Sequence, residues 1–151
     1  AAIYGKGATL YLAPTADSRE EWQSTIRHIA LEGRCFVFSV NQYVHKSMYP
    51  EDLGCYGDLE NLPDNLCPGG SAIIGPLGQY IAGPVRDREE ILLADLDLGA
   101  IGESRFDFDV MGHYARPDVL KLVVDETPLN SVLYVDENAM EGPVAEGSER
   151  S

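Results

Sequence analysis
The chain has 151 residues, 44% of them hydrophobic, and a formal net charge of −14 at neutral pH, enough for one domain with a real core. Acidic side chains far outnumber basic ones and no basic run or basic helix face occurs, which excludes a nucleic-acid phosphate backbone as a partner. No stretch approaches the roughly 18 consecutive apolar residues of a membrane span and no charged-then-apolar leader opens the chain, so the expected setting is the cytoplasm.

Residues 1–7, AAIYGKG, read as the last turn of a helix closed by Gly5 or Gly7, and the absence of an initiator Met reads as the mark of a fragment or a truncated product. Residues 9–13 form a short β-prone run that stops at Pro14, after which Thr15, Asp17 and Ser18 offer side-chain oxygens to the first free N–H groups of a helix. Ser18 followed by Glu21 fits a capping box. Trp22, Ile26, Ile29, Ala30 and Gly33 then recur at helical spacing, with Arg19, Glu20, Gln23, Arg27 and Glu32 filling the other side. Residues 35–40 are apolar without alternation, as expected of a strand covered on both faces, and end on Asn41 and Gln42. Strand, helix and buried strand in this order predict a layered α/β core. In such cores the loops at the carboxyl ends of strands gather the chemistry, so residues 14–22 and 41–42 are the first places to look for a site.

Residues 43–70 hold Pro, Gly, Asp and Asn with little periodicity and are predicted to be a long loop. Residues 71–75 and 80–85, joined by Pro76-Leu77-Gly78-Gln79, predict a β-hairpin, and residues 90–97, EILLADLD, a further strand. Asp95 and Asp97 are expected to solvate that strand's end and to cap a helix starting near Leu98 rather than to pair in catalysis. Asp107 and Asp109 alternate at strand spacing, and residues 119–124 read as another apolar strand. From Asp125 onward Asp125, Glu126, Asp136, Glu137, Glu141, Glu146 and Glu149 face only Arg150, and residues 129–151 read as an acidic tail, disordered beyond about Asn138, with residues 132–135 able to pair as a short strand.

Cys35, Cys55 and Cys67 are odd in number and form no CxxC pair, so reduced thiols are expected. A zinc site from Cys55, Cys67 and His45 matches no structural spacing. Cys35 follows the cation Arg34, which favours a thiolate, but it opens an apolar strand, where a buried thiol is the ordinary reading. His28 reads as a hydrogen-bonded packing residue. Trp22 reads as core that also reaches the pocket edge beside Pro14 and Thr15.

The words YLAPTAD at 11–17, HIALEG at 28–33, CFVFSVNQ at 35–42, GGSAIIGPLG at 69–78, LADLDLG at 93–99 and FDFDVMGHYARPDV at 106–119 stand in one register. Together they resemble the carboxyl-terminal half of a nitrilase, a carbon–nitrogen hydrolase, over residues 2–128. The resemblance implies an α/β fold of the four-layer α-β-β-α sandwich type, present here as its C-terminal half, and a homo-oligomer in which the GHYARPDV segment crosses a neighbouring subunit. It also implies a nitrile substrate, water as co-substrate, and neither metal nor organic cofactor. Nitrilases attack the nitrile with a cysteine thiolate in a Cys-Trp-Glu motif, a glutamate acting as base and a lysine stabilising charge on nitrogen. This chain has no such motif, and Lys6 and Glu32 match none of the family's catalytic motifs, so the catalytic residues are expected upstream of it. What remains for this chain is a pocket wall of Pro14, Thr15, Trp22 and Asn41. The same scaffold would serve an amidase or a cyanide hydratase, or a truncated polypeptide that only associates with full-length subunits.

Overall fold
A computed structural model describes residues 1–127 together with 131 and 132. One five-stranded mixed sheet carries the molecule, in the order β1 (Leu10–Leu12), β2 (Phe36–Ser39), β4 (Asn65–Ile74) and β3 (Tyr43–His45), with β5 (Tyr80–Arg86) on the far edge of β4. β1 runs parallel to β2, and every pairing of β4 is antiparallel. β2 and β3 therefore lie end to end along one edge of β4, interrupted at residues 40–42. A short helix α1 (Ala2–Gly5) precedes the sheet, α2 (Glu20–Gly33) crosses from β1 to β2, and α3 (Gly99–Asp107) follows β5.

Side chains alternate across strands, so Val37, Ser39, Ala72 and Ile74 share the face that meets α2. Ala13, Ile26, Ala30, Cys35, Val37, Ala72 and Ile74 make the core there, with Tyr11, Trp22 and Ile29 packed on its rim. The opposite face is less covered: Leu10 and Leu12 of β1 are 48% and 72% exposed. The expectation that residues 35–40 are closed on both faces holds only in part: Val37 and Ser39 are buried against α2, while on the other face Phe36 is buried, Phe38 half-buried and Val40 exposed.

Several local expectations fail for identifiable reasons. Ser18 makes no capping box; α2 starts after Arg19, which caps with no side-chain bond. Its approach is shaped one step earlier, where Thr15 Oγ1 accepts from Asp17 N at 2.9 Å and Asp17 Oδ1 from Arg19 N at 3.1 Å. Gln23 belongs to the buried stripe, not the wet side: it is 3% exposed, beside Ile26, Ala30 and Gly33. Residues 43–70 are not one long loop, because β3, two 3-10 turns (Lys46–Met48 and Tyr56–Leu59) and the first half of β4 fall within them.

The run at 91–97 alternates in exposure as a strand would, yet no strand forms at 90–97, since no ladder partner flanks it among the described residues. Its Asp97 does cap α3, accepting from Gly99 N at 2.8 Å. Asp107 and Asp109 are not on a strand: Asp107 ends α3 and binds Arg34 Nη2 at 2.9 Å, while Asp109 accepts from Met111 N and Gly112 N in a turn. Residues 119–124 are exposed and form no strand with any described residue; Val119 N and Leu120 N instead donate to Arg116 O in a turn. His28 lies exposed on α2 rather than packed. Val132 is exposed; the remainder of the expected strand at 132–135, and the acidic tail past Asn138, lie outside the described residues.

Candidate functional site
The carboxyl ends of β1 and β2 meet, and the loops leaving them are locked together by a short ladder and a set of side chains. Ala13 N donates to Phe38 O at 2.8 Å and Thr15 N to Val40 O at 2.9 Å, so the parallel pairing outlasts both strands and ends in a bridge between Thr15 and Asn41. Asn41, 7% exposed, spends its side-chain amide on two carbonyls: Nδ2 donates to Asp17 O at 2.8 Å and to Gly69 O at 3.0 Å. Its backbone N–H donates to Ser71 Oγ at 2.9 Å, and that hydroxyl donates back to Asn41 O at 3.1 Å.

A second set of bonds holds the start of α2. Trp22, half-buried, donates its indole N–H to Ser39 Oγ at 2.8 Å. Gln23 Nε2 donates to Gly70 O at 2.8 Å, and Tyr80 donates its hydroxyl to Gln23 Oε1 at 3.1 Å. Arg86 reaches Ser18 O and Glu20 from β5. The glycine pair these bonds grip has φ of 86° at Gly69 and 121° at Gly70, and a Cβ at Gly70 would stand 3.0 Å from Gln23 Nε2. Both positions thus require glycine, for conformation and for space. In the approach to α2, Arg19 forks onto Asp17 at 2.7 and 2.8 Å and holds that carboxyl down at about 2.

Of the four residues expected at a pocket wall, Thr15 and Asn41 are direct neighbours, Trp22 joins them through Ser39, and Pro14 is exposed between β1 and Thr15. A cavity of about 420 Å³ opens beside them, lined by Tyr43, Gly69, Val85, Arg88, Glu90 and Ile91 with Asn41 alone of the four. Three further residues complete the network: Gln23, expected on the polar side of α2, and Ser39 and Ser71. Gln23 was legible, since residues 23, 26, 30 and 33 step at helical spacing, and Ser39 shares the period-two face of Val37. Nothing local marked Ser71, whose partner is 30 residues away.

No nucleophile emerges from Cys35. Its thiol is fully buried and burial pushes its pKa up, against a smaller lowering by Arg105. Arg34, its neighbour in sequence, turns away to Asp107, accepts Phe108 beneath its guanidinium at 5.3 Å and donates to Phe108 O. Cys67 Sγ faces Gln42 O at 3.0 Å, His45 pairs with Ser47, and Cys55 is exposed in the turn region. No group of three His, Cys, Asp or Glu poised for a metal ion is found among the described residues. Lys6 pairs with Glu126 on the surface. Glu32 stands beside Tyr4, whose hydroxyl is pushed up to about 12 by burial and by that carboxylate. Under native conditions a thiol reagent is therefore expected to label Cys55 quickly, and Cys35 and Cys67 only on unfolding, as peptide mass mapping would read. Labelling of Cys35 at the rate of Cys55 would contradict the burial described.

Residues 1–106 match the family model of carbon-nitrogen hydrolase. The chain is 55% identical over 133 residues to an aliphatic nitrilase of Sinorhizobium fredii, covering 87% of this chain and 42% of that protein. It is 53% identical over 137 residues to a bifunctional nitrilase/nitrile hydratase of Lupinus angustifolius, covering 88% and 39%, and 47% identical over 139 residues to nitrilase 1 of Arabidopsis thaliana, covering 89% and 40%. The chain thus spans about 40% of the length of the curated relatives it matches. Among solved structures, a carbon-nitrogen hydrolase from Helicobacter pylori superimposes with a TM-score of 0.56 at 20% identity, over 76% of this chain and 40% of that one. A CN-hydrolase superfamily protein from Xanthomonas campestris gives 0.52 at 24%, over 77% and 37%. At those identities the structures speak for the fold, the mixed α/β sheet expected for a nitrilase-type chain. The sequence match runs through α1, every strand and nearly all of α3, well beyond any single shared motif, and by it the chain belongs to the carbon–nitrogen hydrolase family.

Proposed function
We propose that this chain is the pocket-wall portion of a nitrilase, which converts R–C≡N and two waters to R–COOH and NH₃. The chemistry is that of a cysteine thiolate adding to the nitrile carbon to give a thioimidate, which one water converts to an acylenzyme with loss of ammonia and a second water releases as acid. Nucleophile, base and charge-stabilising cation would come from polypeptide outside these residues, and Pro14, Thr15, Trp22 and Asn41 would border the substrate. The single observation that carries this reading is the 55% identity to an aliphatic nitrilase over 87% of the chain. The convergence of the 14–22 loop and the 40–42 break at two strand ends agrees with it. Release of amide as a second product is favoured by the relative named as a nitrilase/nitrile hydratase.

We infer further that the protein is a homo-oligomer, in keeping with exposed Val119, Leu120, Leu122 and Val123, and that it works in the cytoplasm, in keeping with three free thiols. The test is to incubate the complete protein with a panel of aliphatic and aromatic nitriles while following ammonia, carboxylate and amide, with sedimentation run in parallel. Ammonia equal to carboxylate is expected, with any amide appearing as a minor fraction. A folded protein that releases neither acid nor amide from any nitrile would overturn the reading.

A further inference from the structure
We propose that Asn41 is a positioning residue: a clasp that fixes the 14–19 loop, and with it the start of α2 and Trp22, against the Gly69 backbone of β4. This rests on the reading of that loop as a pocket wall. Every donor of Asn41 is spent inside the protein, which leaves only the acceptor Oδ1. Both amide hydrogens are taken by carbonyls on two different segments, Asp17 O from the loop after β1 and Gly69 O from β4, and its backbone N–H and C=O are both closed by the Ser71 hydroxyl. A flipped amide would set Oδ1 against two carbonyl oxygens, so the network admits one orientation only. Oδ1 faces Cys67 Sγ at 3.7 Å.

Geometry explains why the clasp sits at this residue. β2 and β3 run along one edge of β4 and the ladder breaks between them, so the backbone at 40–42 cannot bond β4 in the regular way. Asn41 and Ser71 replace the absent ladder bonds with side-chain ones, and the left-handed Gly69 presents its carbonyl to the amide. Two neighbouring ties reinforce it, Gln23 of α2 to Gly70 of β4 and Arg86 of β5 to Ser18 of the loop. Because Asn41 also lines the 420 Å³ cavity with Gly69, any slackening of the clasp changes the distance between the loop and that cavity.

The test uses the complete protein and two variants, Asn41→Asp, which sets a carboxylate against both carbonyls, and Ser71→Ala, which removes only the hydroxyl. Amide hydrogen exchange over residues 15–19 should quicken roughly tenfold in Asn41→Asp, the effect of losing two hydrogen bonds of ordinary net strength, and less in Ser71→Ala, with the β4–β5 turn unaltered. KM should change more than kcat, and by different factors for a small and a bulky nitrile. Exchange at 15–19 equal to wild type in both variants would overturn the clasp, as would a loss confined to kcat and uniform across nitriles. Should Asn41→Asp not fold, Ser71→Ala decides by the same readouts. If the wild-type protein turned over no nitrile, the functional reading would fall, while the exchange measurement would still decide whether Asn41 holds the loop.

Discussion
Under the proposed nitrilase function, truncation of Trp22 to alanine is expected to reorder the nitriles turned over by the complete protein, with kcat/KM ratios between bulky and small substrates moving by about tenfold or more. The indole is half-buried at the first turn of α2, its ring packed on the rim of the core and its N–H satisfied by Ser39. With its one donor already engaged, Trp22 would act on a substrate by shape, and removal of a ring opens volume without stranding a ligand's polar group. Ser39→Ala should give a smaller change of the same kind, because the ring stays while its orientation is released. Kinetics with a graded series of nitriles, set beside thermal melting, separates the outcomes. An equal loss on every substrate, tracking a lowered Tm, would make Trp22 a core residue alone.

The largest effect on stability is expected at Ile26, where Ile26→Ala should cost about 2–5 kcal/mol, against about 0.5–1.5 for Ile26→Val. Ile26 has no exposed surface and lies in the cluster where α2 meets Val37, Ala72 and Ile74. Its neighbours there are mostly small or strand-held, Ala13, Ala30 and Ala72 among them, so they cannot collapse into the space a truncated side chain leaves. Urea unfolding of the complete protein measures this directly. Leu12→Ala offers the contrast: at 72% exposure it should change stability far less, and a cost at Leu12 matching that at Ile26 would show the opposite sheet face to be covered.

Much of this architecture was legible from short-range patterns. The spacing of Ile26, Ala30 and Gly33 marked α2, the unbroken apolar run marked β2, and Pro76 with Gly78 marked the turn between β4 and β5. Such features depend on neighbours within a few residues, where the side-chain period and backbone preferences act. The placement of Thr15 and Asn41 at strand ends followed from the same reasoning, since strand, helix and parallel strand can close in few ways.

Pairing across the chain was decided only by the tertiary structure. Residues 65–68 look like loop because Pro68 and the glycines after it suppress strand propensity, yet β3 supplies ladder bonds along one edge and Asp87 N, just past β5, donates to Pro68 O on the other. Residues 90–97 look like a strand, but propensity without a partner among the described residues leaves backbone groups unpaired, and the segment does not join the sheet. Gln23 looks polar and therefore wet; Gly70 O and the Tyr80 hydroxyl, 47 and 57 residues away, satisfy it and allow its burial. Asn41 could be placed at the end of a strand by sequence alone. That its amide would be consumed by Asp17 O and Gly69 O follows only from the fold, because a hydrogen-bond partner is fixed by where the chain returns in space and not by what stands beside it in sequence.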